Sequence, residues 1–138
     1  MKKITGFTLL ELLVVIGIIG IIMALATVAY SSTQKGGRDA RRKQDLVAIQ
    51  NALEQYYAVN GYVYPDLDCS LAKTYIKGNW PVDPDGVTPY SVSGQCIATG
   101  YCICSLLEGN GGNSGASCEF NAGVSTHYCI ESLQNETP

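Results

Sequence analysis

The chain has 138 residues, room for one small domain plus a segment. Its net charge of −3, with only 15% charged residues and one histidine, argues against a strongly basic nucleic-acid binder and a histidine-rich metal protein. There is no serine-base pairing, phosphate loop or CxxCH haem motif, so neither an enzyme nor a cofactor is expected.

The first predicted element is apolar. From Phe7 to Ala29 only Thr8, Glu11 and Thr27 are polar, and Glu11 carries the one charge. As a helix this stretch is about 35 Å long, enough to span a bilayer. Lys2 and Lys3 precede it and hold that end in the cytoplasm. Two processing schemes fit. In the first, a secretory signal peptide is cut after the small residues Ala24-Leu25-Ala26. In the second, the cut falls before the apolar run, which stays on the mature chain. Glu11 favours the second, because an uncharged core is the rule for a signal peptide. A carboxylate at a bilayer-spanning helix centre costs roughly 2.5–3.5 kcal/mol, so something must offset it.

The stretch GFTLLELLVVIGIIGIIMALA resembles the N-terminal signal of type IV pilins and type II secretion pseudopilins. It has a short basic leader, a glycine, a phenylalanine, and a glutamate four residues after that phenylalanine. The resemblance implies cleavage by a prepilin peptidase between Gly6 and Phe7, with N-methylation of Phe7. It also implies that Glu11 pairs with the Phe7 amine of a neighbouring subunit and so sets register during assembly. Two local readings stand beside it. Phe7 and Glu11 are four apart and could pair within one chain, and a carboxylate in the first turn is favoured by the helix dipole. Gly17 and Gly20 are three apart, which is not a GxxxG dimer motif. They serve close packing, or local melting of the kind seen in assembled pili.

Next, Leu46, Ile49, Leu53 and Tyr56 recur at spacings of three and four, flanked by Ala52 and Tyr57, and predict an amphipathic helix. Asn60-Gly61 is its stop signal. Gly36-Gly37 marks a place where the helix bends or loosens. The basic run Arg38, Arg41, Arg42 and Lys43 is read as a solvated or subunit-contacting face. The region beyond it has Lys73 and Lys77 against Asp66, Asp68, Asp83, Asp85, Glu108, Glu119, Glu131 and Glu136. An acidic head and a basic spine are expected to attract each other between subunits, and no specific nucleic acid is expected.

Pro65, Pro81, Pro84 and Pro89 punctuate loops. Asp83, Asp85 and Gly86 read as a turn, without the spacing of an EF-hand. That stretch resembles the loop before the sheet of major pseudopilins, with Val82 interrupting the match. Short antiparallel strands are predicted at 90–93, 100–106 and 126–132. Residues 108–123, rich in glycine and asparagine, read as a long surface loop. Asn135-Glu136-Thr137 fits a glycosylation sequon weakly.

Cys69, Cys96, Cys102, Cys104, Cys118 and Cys129 all fall in the head. An even count confined to the exported part points to disulfides in an oxidising compartment, with no metal site. Cys102 and Cys104 alternate on one strand face and are not expected to bond each other. The pairing is otherwise open.

The expected fold is α+β, a long N-terminal helix packed under a small antiparallel sheet stapled by disulfides. Its expected parts are a leader (1–6), a membrane or filament-core helix (7–30), an amphipathic spine (31–60) and a head (61–138). The leading functional expectation is a subunit of a type IV pilus-like helical filament. It would sit in the inner membrane, meet the prepilin peptidase and assembly machinery, and then enter an extracellular pilus. A major pseudopilin of a periplasmic type II secretion pseudopilus is the first alternative. A minor pilin that captures DNA or a surface is the second.

Overall fold

The computed structural model describes residues 6–86, 88–90, 96–109, 111–116, 118, 120 and 126–134. The chain divides into two compact units, Met1–Lys35 and Gly36–Pro138. Helix α1 (Leu9–Val59) contributes to both and passes through Gly17, Gly20 and Gly36-Gly37 without interruption.

In the first unit the helix is apolar from Leu9 to Leu25 apart from Glu11. Its side chains from Leu9 to Leu25 are exposed. It contains a stretch of mean hydropathy 2.9, none of it buried, long and apolar enough to cross a membrane. Leucine, isoleucine and alanine supply the helix propensity, and no proline interrupts them.

In the second unit α1 buries one stripe. Asp39, Arg42, Leu46, Ile49, Ala52 and Leu53 are buried at spacings of three and four, as the amphipathic pattern predicts. The helix ends in a Schellman motif. Gly61 adopts φ 72°, and Tyr62 N–H donates to Tyr57 O at 3.0 Å. The apolar contact that accompanies this motif is present too, with the Tyr57 and Tyr62 rings 5.6 Å apart.

A short 3₁₀ helix, Cys69–Tyr75, follows, capped by the Asp68 side chain accepting from Ser70 N–H at 2.8 Å. The sheet has three antiparallel strands in the order β1 (Cys96–Ile97), β2 (Gly100–Leu106), β3 (His127–Glu131). The second and third lie where the alternation placed them. The first differs from expectation. Tyr90 sits in a bend with its ring in the core, residues 91–95 lie outside the described residues, and the pairing strand is Cys96–Ile97. Apolar side chains of β1, β2 and β3 (Cys96, Tyr101, Ile103, Ile130) close one core with Leu46, Ile49 and Leu53 of α1 and with Tyr64 and Ala72.

Candidate functional site

At the start of α1, Gly6, Phe7 and Thr8 precede the helix and are exposed. Glu11 is occupied locally. Its Oε2 accepts from Thr8 N–H and from Thr8 Oγ1, each at 2.9 Å, and Thr8 Oγ1 accepts from Glu11 N–H at 3.2 Å. This is a capping box, T-x-x-E, in which threonine and glutamate satisfy each other's free N–H groups. Glu11 therefore closes the helix start, which is the first-turn role that the dipole argument favoured. Residues 1–5, with Lys2 and Lys3, lie outside the described residues.

Part of the basic stretch is used inside the chain, so Arg42 is not on a solvated face as expected. Arg42, 6% exposed, donates Nε and Nη2 to the two Asp83 oxygens at 2.8 and 2.9 Å. Its Nη1 bonds Asp39 at 2.8 Å and Glu108 at 3.0 Å. Arg38 pairs with Glu108. Lys43 Nζ donates to Gly111 O at 2.7 Å and lies 5.5 Å from the centre of the Tyr128 ring. Arg41 is mainly exposed and reaches only Asp45, at 3.8 Å. The physical reason is burial. Arg42 is on the core stripe, and a guanidinium there must be paired and fully hydrogen-bonded.

These pairs set the protonation states. Hydrogen bonds donated to Asp83 raise the Arg42 pKa against the opposing effect of burial. The Arg38 guanidinium holds the Glu108 carboxyl down at about 2. Burial alone would raise Asp39, but N–H groups of Glu108 and Gly109, both at 2.9 Å, together with Arg42 bring it below the ordinary carboxylate range.

Glu54 makes a second anchor. It accepts from Tyr64 OH at 2.9 and 3.0 Å, from Tyr101 OH at 2.8 Å and from Leu133 N–H at 3.2 Å. Asp45 accepts from Tyr90 OH at 3.0 Å. Burial first, and then these carboxylates, push the Tyr64, Tyr90 and Tyr101 hydroxyls up. The Asp83 turn closes on itself, with Gly86 N–H donating to Asp83 O at 2.8 Å and Thr88 to Asp85. Sequence reasoning saw Arg42, Asp83 and Glu108 but not that they meet. The signal available was a charge at the helical spacing of the apolar stripe.

The cysteines pair as Cys69–Cys96, Cys102–Cys118 and Cys104–Cys129. Cys104 and Cys129 face each other across β2 and β3, with Cα atoms 4.1 Å apart. Such closeness belongs to a non-hydrogen-bonded antiparallel pair.

Residues 1–27 match the family described as the prokaryotic N-terminal methylation motif. The chain is also similar to proteins named type II secretion system core protein G. The Vibrio cholerae protein is 35% identical over 85 residues, covering 62% of this chain and 56% of that protein. The Aeromonas hydrophila protein is 34% identical over 70 residues, covering 51% and 48%. The Escherichia coli protein is 38% identical over 66 residues, covering 48% and 45%. This chain spans about half the length of the curated relatives it matches. No solved structure matches it.

A methylation motif on an apolar helix, ahead of a small disulfide-bonded sheet, defines a prepilin-like chain. Its likeness is to the type IV pilins and type II secretion pseudopilins.

Proposed function

We propose that the chain is the precursor of a major pseudopilin of a type II secretion system, a structural subunit that assembles with copies of itself into a periplasmic filament. The observation that carries this is the similarity to three proteins named type II secretion system core protein G, joined to the methylation motif. In this reading residues 1–6 are the leader. Prepilin peptidase hydrolyses the Gly6–Phe7 bond and methylates the new Phe7 amine. Residues 7–30 anchor the subunit in the inner membrane and then form the filament core. Residues 31–60 are the spine and 61–138 the head.

The Thr8–Glu11 box then has a place in the sequence of events. Before assembly Glu11 is satisfied by its own chain. Cleavage creates an amine on Phe7, and in the filament Glu11 takes the amine of a neighbouring copy, setting axial register.

The pilus reading keeps one supporting feature, a head with three disulfides, suited to exposure outside the cell. Deleting the gene and comparing two phenotypes separates the readings. The pseudopilin reading expects export of secreted proteins to stop while sheared surface fibres, viewed by electron microscopy, are unchanged. Loss of surface fibres with normal export would establish the pilus instead.

A further inference from the structure

A three-stranded sheet has two outer edges, and each can template a foreign strand through its free N–H and C=O groups. In this head both edges are occupied by groups of the same chain. On β1, Tyr64 N–H donates to Ala98 O at 3.1 Å and Leu67 N–H to Cys96 O at 3.0 Å. The Cys69–Cys96 bridge fastens that loop to the strand.

The edge of β3 is closed differently. Ser132 N–H donates to Tyr101 O, so by alternation Ile130 and Tyr128 face β2 while His127, Cys129 and Glu131 face outward. His127 exchanges two backbone hydrogen bonds with Ser114, both at 3.1 Å. At Cys129 a side chain stands in for backbone. Asn113 Nδ2 donates to Cys129 O at 2.9 Å, and Asn113 Oδ1 accepts from Cys129 N–H at 2.7 Å. Gln50 Nε2 donates to Glu131 O at 3.1 Å.

A primary carboxamide offers the donor and acceptor of a peptide group, but no chain runs through it. It satisfies a strand without extending the sheet. We propose that Asn113 is a seal on the β3 edge, and that an unsealed β3 edge pairs with β3 of a second copy. The partner follows from symmetry. An antiparallel edge is complementary to itself, so two copies can meet about a two-fold axis through the same residues. A groove of about 370 Å³ beside this edge, lined in part by Gln50, Asn113, Tyr128 and Ser132, gives the approaching strand its side of entry. The sealing stands whether or not the chain forms a filament. If it does, heads crowded along a filament are the setting in which an open edge would be most damaging, because pairing would compete with assembly through the helices.

The test is amide hydrogen exchange by NMR on the full chain in detergent micelles, with sedimentation of the same samples. In the wild type the Cys129 amide should exchange as slowly as that of Ile130. Asn113→Ala should speed Cys129 roughly tenfold or more and leave Tyr128 and Ile130 unchanged. It should also add a concentration-dependent dimer. Adding Glu131→Pro should remove that dimer, because proline takes away an outward N–H and spares the β2 ladder. A freely exchanging Cys129 in the wild type would overturn the seal without any variant, which covers the case in which Asn113→Ala does not fold. An Asn113→Ala chain that folds and sediments like the wild type would overturn the pairing.

Discussion

The two units of the chain use one helix for opposite ends. In Met1–Lys35, α1 carries its information in composition. From Leu9 to Leu25 it is apolar but for Glu11 and exposed, and the Thr8–Glu11 box closes its start. In Gly36–Pro138 the same helix carries its information in particular pairs. Asp39 and Arg42 together hold the Asp83 turn and the Glu108 segment, Asp45 holds Tyr90, and Glu54 holds Tyr64, Tyr101 and Leu133. The difference teaches where each segment's partners lie. The buried charges of the second unit, Asp39, Arg42 and Asp83, are answered by residues of their own chain. The described apolar side chains of the first, Leu9 to Leu25, are exposed, a surface suited to lipid or to other copies.

The sharpest way to break that contrast is Arg42→Ala. Removing the guanidinium strands Asp83 and Asp39, each nine-tenths buried, and breaking a buried pair of this kind costs about 3–5 kcal/mol. Urea denaturation followed by tyrosine fluorescence should show that loss, while membrane fractionation of the chain stays as in the wild type. Arg41→Ala, on the exposed side, should change stability by less than about 1 kcal/mol. Equal effects from the two would show that the basic stretch is only a solvated face.

A smaller effect is expected from Cys69→Ser with Cys96→Ser, which opens the bridge that holds the Tyr64–Leu67 loop on β1. Loss of a disulfide costs about 2–4 kcal/mol. Peptide mapping should show the other two bridges intact, and the apolar segment should still partition into membrane. Next is Glu54→Gln. One amide cannot accept from two tyrosine hydroxyls and Leu133 N–H as well as a carboxylate does, and a loss of about 1–3 kcal/mol follows. Tyr64→Phe in that background should then cost less than it does alone, and strict additivity of the two would rule out a shared site.

Much of this was legible in the sequence. The apolar run, the amphipathic stripe, the glycine stop at Gly61, and the strands β2 and β3 each follow from local pattern. Local pattern failed where long-range closure decides. Cys96–Ile97 is too short to show alternation and is a strand only because β2 and the Tyr64–Leu67 loop flank it. Composition counted Asp83 and Glu108 in the acidic surplus of the head without saying that Arg42 and Arg38 meet them in the same chain. Residues 108–123 read as surface loop, and Asn113 within them carries two of the hydrogen bonds that close the sheet. A single asparagine among glycines gives no sign of that in one sequence. Gly6 and Phe7, the proposed cleavage residues, are recognisable only as a motif, since both stand exposed ahead of α1.

The smallest expected effect is a titration, and it separates the units by pH. Glu108, Asp39 and Asp68 have folded pKa values below their ordinary ones, Glu108 at about 2. Carboxylates lowered on folding stabilise the head above the unfolded value of about 4.3. That contribution fades as pH falls from there through the folded value. The tyrosines run the other way. Tyr64, Tyr90 and Tyr101 are raised on folding. The stability this represents is complete below the unfolded value of about 10 and declines as pH rises past it. The head's melting temperature, followed by near-ultraviolet circular dichroism in detergent, should therefore be flat between these limits and fall outside both. Helical signal from the apolar unit should not follow either limb. Glu108→Gln should flatten the acid limb at its lowest end, near pH 2, and leave the alkaline limb alone. An acid limb unchanged in that variant would mean that Arg38 and Glu108 do not meet in solution.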